Sequence, residues 1–159
     1  MTNLFIDTDV IIDFLIDRKP HSREAAIIFT LIDQKKLKGY ASSLTFSNLY
    51  YVLRKIEPHK KVLAKLDSIS KMLTVLNVGD QNIRDAIESG FPDFEDSVQY
   101  FCAMDCKKVE VIITRNTKDY KNSILTVMTP GDFLKSSFSN TANPGNKLAN
   151  YLQSGLEII

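Results

Sequence analysis

Acids stand at three places in this 159-residue chain where the apolar pattern says that an element begins or ends. Asp7 directly follows Leu4-Phe5-Ile6, an apolar run short enough for a buried strand. Asp93, Glu95 and Asp96 stand together at the head of a helical stripe. Asn116 and Asp119 follow Val109 to Thr114, the most strand-like run in the chain. Oxygen donors of this kind suit hard cations such as Mg²⁺ or Mn²⁺, which keep several of their waters. Carboxylates brought close together repel one another unless a cation lies among them. A metal so held polarises a phosphate and makes hydroxide from water, which is the chemistry of phosphodiester hydrolysis. Each place also has a structural reading. Asp7 ties down a turn, with Thr8 or Asp9 as helix cap; Asp93 is an N-cap, with Glu95 and Asp96 favoured by the helix dipole. Asn116 and Asp119 are then plain loop residues. The coincidence of three acid-bearing ends favours a site.

A site needs elements that bring these ends together. Val10, Ile11, Phe14 and Leu15 recur at helical spacing right after Asp7, so a strand turns into a helix there. In open α/β sheets ligands bind outside the carboxyl ends of strands, which is where Asp7 falls. Pro20 suits a first helical position, and Ala25, Ala26, Ile28, Phe29 and Ile32 mark a helix to about Lys35. Tyr40-Ala41-Ser42 reads as a second strand, followed by a helix capped by Ser43 or Thr45 with Phe46, Leu49, Tyr50 and Leu53 on one face. A helix from His59 to Met72 turns Val62, Leu63, Leu66 and Ile69 inward, and Leu73 to Leu76 is a third strand. Ile83, Ala86 and Ile87 form the stripe of a helix opened by Gly79-Asp80 and closed by Gly90. The helix from Asp93 runs on through Val98, Phe101, Cys102 and Met104; Ile124 to Met128 is a last strand, and Pro130 starts a short helix. Alternation of this kind means an α/β domain with a parallel sheet covered by helices on both faces, spanning residues 1–135. Ser136 to Gly145 is a polar linker, and 147–159 is a possible final helix with Leu148, Tyr151, Leu152 and Leu156 in line.

Length and composition suit one globular domain, at 44% hydrophobic and 25% charged. Twenty basic residues against 19 acidic leave a net charge of +1, so any nucleic-acid contact must come from a local basic face. No run is apolar enough to span a membrane and no signal core precedes the first strand, which points to the cytoplasm. Cys102 and Cys106 are expected as free thiols, since i,i+4 helix positions rarely meet disulfide geometry. The two histidines, His21 and His59, lie far from them in sequence, which disfavours zinc.

Phe5-Ile6-Asp7-Thr8-Asp9-Val10-Ile11-Ile12-Asp13 resembles the opening of PIN domains, in which a strand runs into Asp-Thr-Asn/Ser-Val. Asp93-Phe94-Glu95-Asp96-Ser97 resembles the family's Asp-Ala helix start, and Ile112 to Tyr120 its Thr-x-Asp/Asn…Asp-Phe segment. The three motifs occur in the family's order over about residues 1–135. The resemblance implies an α/β metal-dependent ribonuclease, often the toxin half of a bacterial toxin–antitoxin pair and commonly a homodimer. It implies Asp7 and Asp96 as Mg²⁺ or Mn²⁺ ligands, Asn116 at a third ligand position that is often Asp, Asp119 as an auxiliary catalytic acid and Thr114 as an orienting hydroxyl. RNA and an antitoxin protein are the implied partners. Asp9, Asp93 and Glu95 are supporting acids. Arg54, Lys55, Lys118 and Lys121 are candidates for holding RNA phosphates, and Tyr50 and Tyr51 for stacking bases.

The chain departs from the family at one place. Ser43-Leu44-Thr45-Phe46-Ser47-Asn48-Leu49 carries Asn48 where the family usually has a Glu. A neutral amide ligates more weakly than a carboxylate and cannot act as a base, so Asn48→Glu is expected to raise metal affinity and RNA cleavage. The departure leaves open a PIN fold that binds RNA or a protein without cutting. A separate alternative is a haloacid-dehalogenase-like phosphatase, because Asp7-Thr8-Asp9 is an Asp-x-Asp after a strand. The expected lysine and acidic pair do not follow Thr114 at workable spacing.

Overall fold

The structure, a computed structural model, describes residues 1–139. Strand β1 (Thr2–Ile6) runs into helix α1 (Thr8–Leu15), and α2 (Ser22–Asp33) leads to β2 (Leu37–Ser42). Helices α3 (Ser43–Leu53) and α4 (His59–Met72) precede β3 (Leu73–Leu76), and α5 (Asp80–Glu88) and α6 (Phe94–Asp105) precede β4 (Val111–Ile113). A 3₁₀ helix (Thr117–Tyr120), β5 (Thr126–Met128) and α7 (Pro130–Ser139) follow. The strands form one all-parallel sheet in the order β3-β2-β1-β4-β5. The expected fold class is the observed one.

Alternation along β1 builds two cores. Leu4 and Ile6 face a layer that includes α1, α2, α3, α4 and α7, while Phe5 faces α6 together with Tyr40, Ile112 and Tyr120. All three β1 side chains are fully buried, each worth about 1.5–3 kcal/mol by transfer from water. Gly39 lets β2 into this layer, because a Cβ there would run into Leu73 and Ile32. The central strands β2, β1 and β4 therefore end side by side, at Ser42, just before Asp7, and just before Thr114. The chain leaves β1 towards β2 on one side and returns as β4 on the other, so Asp7 lies at a switch point of the sheet.

Several local expectations change. Asp7 itself, rather than Thr8 or Asp9, caps α1 by accepting from the Thr8 N–H at 2.7 Å. Ser42 caps α3 by accepting from the Thr45 N–H. Helix α2 begins at Ser22, with Pro20 in the turn before it. In α5 the buried face belongs to Asn82 and Ala86, and the expected stripe residues Ile83 and Ile87 are exposed. Asn82 is held inward because its amide donates to Asp105 and its carbonyl accepts from the Gly79 N–H. Leu63 is exposed on α4, where Val62 and Ile69 make the core contact. Helix α7 continues through Ser136, the expected start of the linker, to Ser139. There the Ser136 and Ser137 hydroxyls donate to the Phe133 carbonyl, a local bond that lets serine stay in a helix. The final helix expected over 147–159 lies outside the described residues.

Candidate active site

Asp7 is the centre of the site. It is 4% exposed, and both carboxylate oxygens are occupied by neutral donors. Oδ1 accepts from the Thr8 N–H at 2.7 Å and from the Gln99 amide at 2.9 Å; Oδ2 accepts from the Thr114 hydroxyl at 2.7 Å. Burial pushes its pKa upward, those three hydrogen bonds pull it down, and the charge of Asp93 raises it again. A carboxylate with both oxygens held and no counter-ion is fixed in place while its charge stays uncompensated.

Two acids from the first turn of α6 lie near it. Asp96 is half-buried, and burial together with the charges of Asp7, Asp93, Asp119 and Glu95 pushes it up to about 8. Its Oδ1 is 3.5 Å from the Tyr120 hydroxyl, whose own pKa is raised by burial and by Asp7, Asp96 and Asp9. Glu95 is also half-buried and raised by burial; its Oε1 accepts from the Asn48 amide at 2.5 Å. Asp93 is the N-cap of α6, accepting from the Asp96 N–H at 3.0 Å, so its structural reading holds. None of Asp7, Glu95, Asp96 or Asp119 has an ion pair among the described residues.

The third acid-bearing end is only partly gathered in. Thr114 is buried, and its hydroxyl both donates to Asp7 and accepts from the Asn116 N–H at 3.0 Å. Asn116 is exposed, and its amide donates to Asp119 within the 3₁₀ turn. Lys118 and Lys121 are exposed on the same turn. Arg54 and Lys55 follow the far end of α3, about 9 Å along the helix axis from Asn48 by the usual rise per residue. Arg54 there donates to the Glu57 carbonyl and Lys55 lies over the Tyr51 ring at 4.3 Å. Tyr50 is half-buried and bonded to His59, while Tyr51 is exposed.

Asp9 points its bonding elsewhere. Its Oδ2 accepts from the Arg115 N–H at 3.3 Å and lies 3.7 Å from that residue's guanidinium. Arg115 also lies 2.8 Å from Asp13, a fully buried carboxylate whose other oxygen pairs with Arg18 at 2.6 Å. This arrangement ties α1 to the loop after β4. Asp9 Oδ1 is buried and takes no hydrogen bond among the described residues.

Sequence reading missed Gln99, Tyr120 and the Asp13–Arg18–Arg115 cluster. Gln99 follows Glu95 by four residues, so both fall on one helix face; a glutamine inside the apolar stripe of α6 was the available signal. Arg115 stands between Thr114 and Asn116 but carries no sequence mark of its pairing with Asp13. Cys102 and Cys106 are free, as expected, and burial pushes the Cys102 thiol up to about 11. Among the described residues no three carboxylate, thiol or imidazole groups already surround one point. A hard cation that keeps most of its waters needs only one or two carboxylates from the protein. The donor chemistry fits such an ion: oxygen ligands, raised carboxyl pKa values and, among the described residues, no basic side chain paired with them.

The chain matches the family model described as PIN domain over residues 3–118. It is similar to Ribonuclease VapC1 of Aquifex aeolicus (strain VF5), with 28% identity over 137 residues, covering 82% of this chain and 92% of that one. The fold is similar to that of a toxin–antitoxin complex from Klebsiella pneumoniae, at TM-score 0.59 and 20% identity over 80% of this chain and 97% of that one. It is also similar to Mycobacterium tuberculosis VapC20, described as a sarcin-ricin loop cleaving toxin, at TM-score 0.55 and 17% identity over 69% of this chain and 86% of that one. The matched stretch runs from the strand that delivers Asp7 to the turn that follows Asn116, and the chain belongs to the PIN domain family.

Proposed function

We propose that this protein is a Mg²⁺- or Mn²⁺-dependent endoribonuclease and the toxin component of a bacterial toxin–antitoxin pair, working in the cytoplasm. The observation that carries the reading is Asp7: a buried carboxylate at the switch point of a parallel sheet, held by neutral donors, with Glu95 and Asp96 beside it and no cation among the described residues paired with any of them. The similarity to Ribonuclease VapC1 and to toxin proteins supports the substrate class and an antitoxin partner. The family resemblance supports a homodimer.

Asp7 and Asp96 would hold the metal, with Asn116 or Asp119 directly or through water. When bound, the cation would supply phosphate polarisation and an activated water. Thr114 and Gln99 keep the Asp7 carboxylate in one orientation. Tyr120 does the same, more loosely, for Asp96. Lys118 and Lys121 are placed on the turn that carries Asp119 and would attract RNA phosphates. Arg54 and Lys55 are left out of this role because α3 carries them away from the acids.

Cleavage of a structured RNA by the purified chain with Mn²⁺, compared between wild type and Asp7→Asn, tests the reading. The substitution is expected to lower the rate at least ~100-fold, beyond the ~10–100-fold usual for an outer-shell partner of a metal ligand. Equal cleavage by both proteins, or none by wild type, would overturn it.

A further inference from the structure

We propose that Glu95 is the third carboxylate ligand of this site and that Asn48 is the positioning residue that holds it there; the proposal rests on the metal-dependent reading above. Glu95 and Asn48 are 47 residues apart and come from different helices, α6 and α3. They meet over the end of β1, where Asn48 Nδ2 donates to Glu95 Oε1 at 2.5 Å. Two more donors converge on the same oxygen, the Thr8 hydroxyl at 3.4 Å and the Gln99 amide at 3.5 Å. The Gln99 amide nitrogen is the one that also donates to Asp7 at 2.9 Å, so a single group spans the two carboxylates. Oε1 is thus held by three donors, while Oε2 takes no hydrogen bond among the described residues and is not buried. A carboxylate with one oxygen anchored and the other available suits monodentate ligation of an ion that keeps its waters.

This geometry gives the amide at position 48 a purpose. A donor is what the partner of a carboxylate must be, and Asn48 supplies one where a second carboxylate would repel Glu95. The negative charge that faces position 48 is carried by Glu95 on α6. Asn48→Glu alone removes that donor and sets two carboxylates against each other in the metal-free protein, so it loosens the hold on Glu95.

Calorimetric titration of Mn²⁺ into the metal-free full-length protein, without RNA, tests this, with melting curves confirming that each variant is folded. Glu95→Gln is expected to weaken binding roughly tenfold or more, and Asn48→Ala less. The exchange Asn48→Glu with Glu95→Gln puts a carboxylate on α3 and an amide on α6, and is expected to recover most of the affinity lost by Glu95→Gln. If Asp7→Asn weakens binding while Glu95→Gln leaves it within about twofold of wild type, Glu95 is no ligand and the metal reading stands without it. If wild type binds no Mn²⁺, both this proposal and the reading beneath it fail. Should Glu95→Gln not fold, the exchange variant and Asn48→Ala still decide the outcome.

Discussion

Two groups of acids lie within a few residues of each other at the end of β1, and they are built in opposite ways. Asp13 is fully buried and closed in by two guanidiniums, Arg18 at 2.6 Å and Arg115 at 2.8 Å. Asp7 is nearly as buried, yet its partners are an amide, a hydroxyl and a backbone N–H, none of which carries charge. The first group balances its charge internally and joins α1 to the loop after β4. The second has no built-in counter-ion among the described residues, and Glu95 and Asp96 stand beside it. The two surroundings separate a carboxylate whose counter-ions are built in from one held by neutral donors, and it is for the second that a ligand-binding role is proposed. Asp9 stands between the two: burial and the charge of Asp7 push it up to about 7, although Arg115 pulls it down.

The comparison is broken most directly by removing one carboxylate from each group. Asp13→Ala takes the carboxylate partner from Arg18 and the nearer of two carboxylates from Arg115, which keeps Asp9 at 3.7 Å. Breaking a buried pair in this way costs about 3–5 kcal/mol, and the partial exposure of both arginines favours the lower end. A fall of roughly 6–12 °C in the thermal midpoint is expected for a chain of this size. Asp7→Asn in the metal-free protein is expected to leave the midpoint unchanged or raise it, because it removes a charge that burial disfavours. Equal losses in the two variants would erase the distinction.

A smaller effect sharpens the picture through pH. Asp96 is held at about 8 in the fold, above its ordinary 3.8. The folded protein therefore keeps this proton where the unfolded chain has lost it, so the contribution to stability is full below pH 4 and is lost as pH rises towards and through 8. Other carboxylates slope differently, so the useful quantity is the difference between wild type and Asp96→Asn. Metal-free melts at pH 4, 6 and 8 are expected to show the variant gaining on wild type as pH rises, and added Mn²⁺ to narrow that gap at pH 8. A gap that stays constant with pH would mean that neither burial nor the neighbouring charges raise Asp96.

The smallest effect is expected at Tyr120. Its hydroxyl reaches Asp96 only at 3.5 Å, so Tyr120→Phe should cost less than about 1 kcal/mol and shift Mn²⁺ affinity about twofold. A loss comparable to that of Asp7→Asn would make Tyr120 a principal positioning residue.

Much of the frame was legible locally. Leu4-Phe5-Ile6 before Asp7 is a buried strand because apolar side chains on both faces need a layer on each side. Asp93 caps α6 because the helix start has free N–H groups that its side chain can reach within three residues. Such signals act over a single turn or strand, and sequence displays them. The stripe expected on α5 shows the limit: Ile83 and Ile87 share a helical period with Ala86, but the period does not say which face meets the core, and Asn82 takes that place through its bond to Asp105.

The sequence by itself determined the elements, the parallel order of the sheet's class and the three chain ends that carry acids, because strand and helix patterning is written in nearest neighbours. Only the tertiary structure decided which acids share a site and what balances each. Asp13 with Arg115, Asp7 with Gln99, and Glu95 with Asn48 join residues 102, 92 and 47 positions apart. Charge and hydrogen bonding act through space over a few ångströms, and nothing in the spacing of residues along the chain encodes those distances until the sheet has brought the strand ends together.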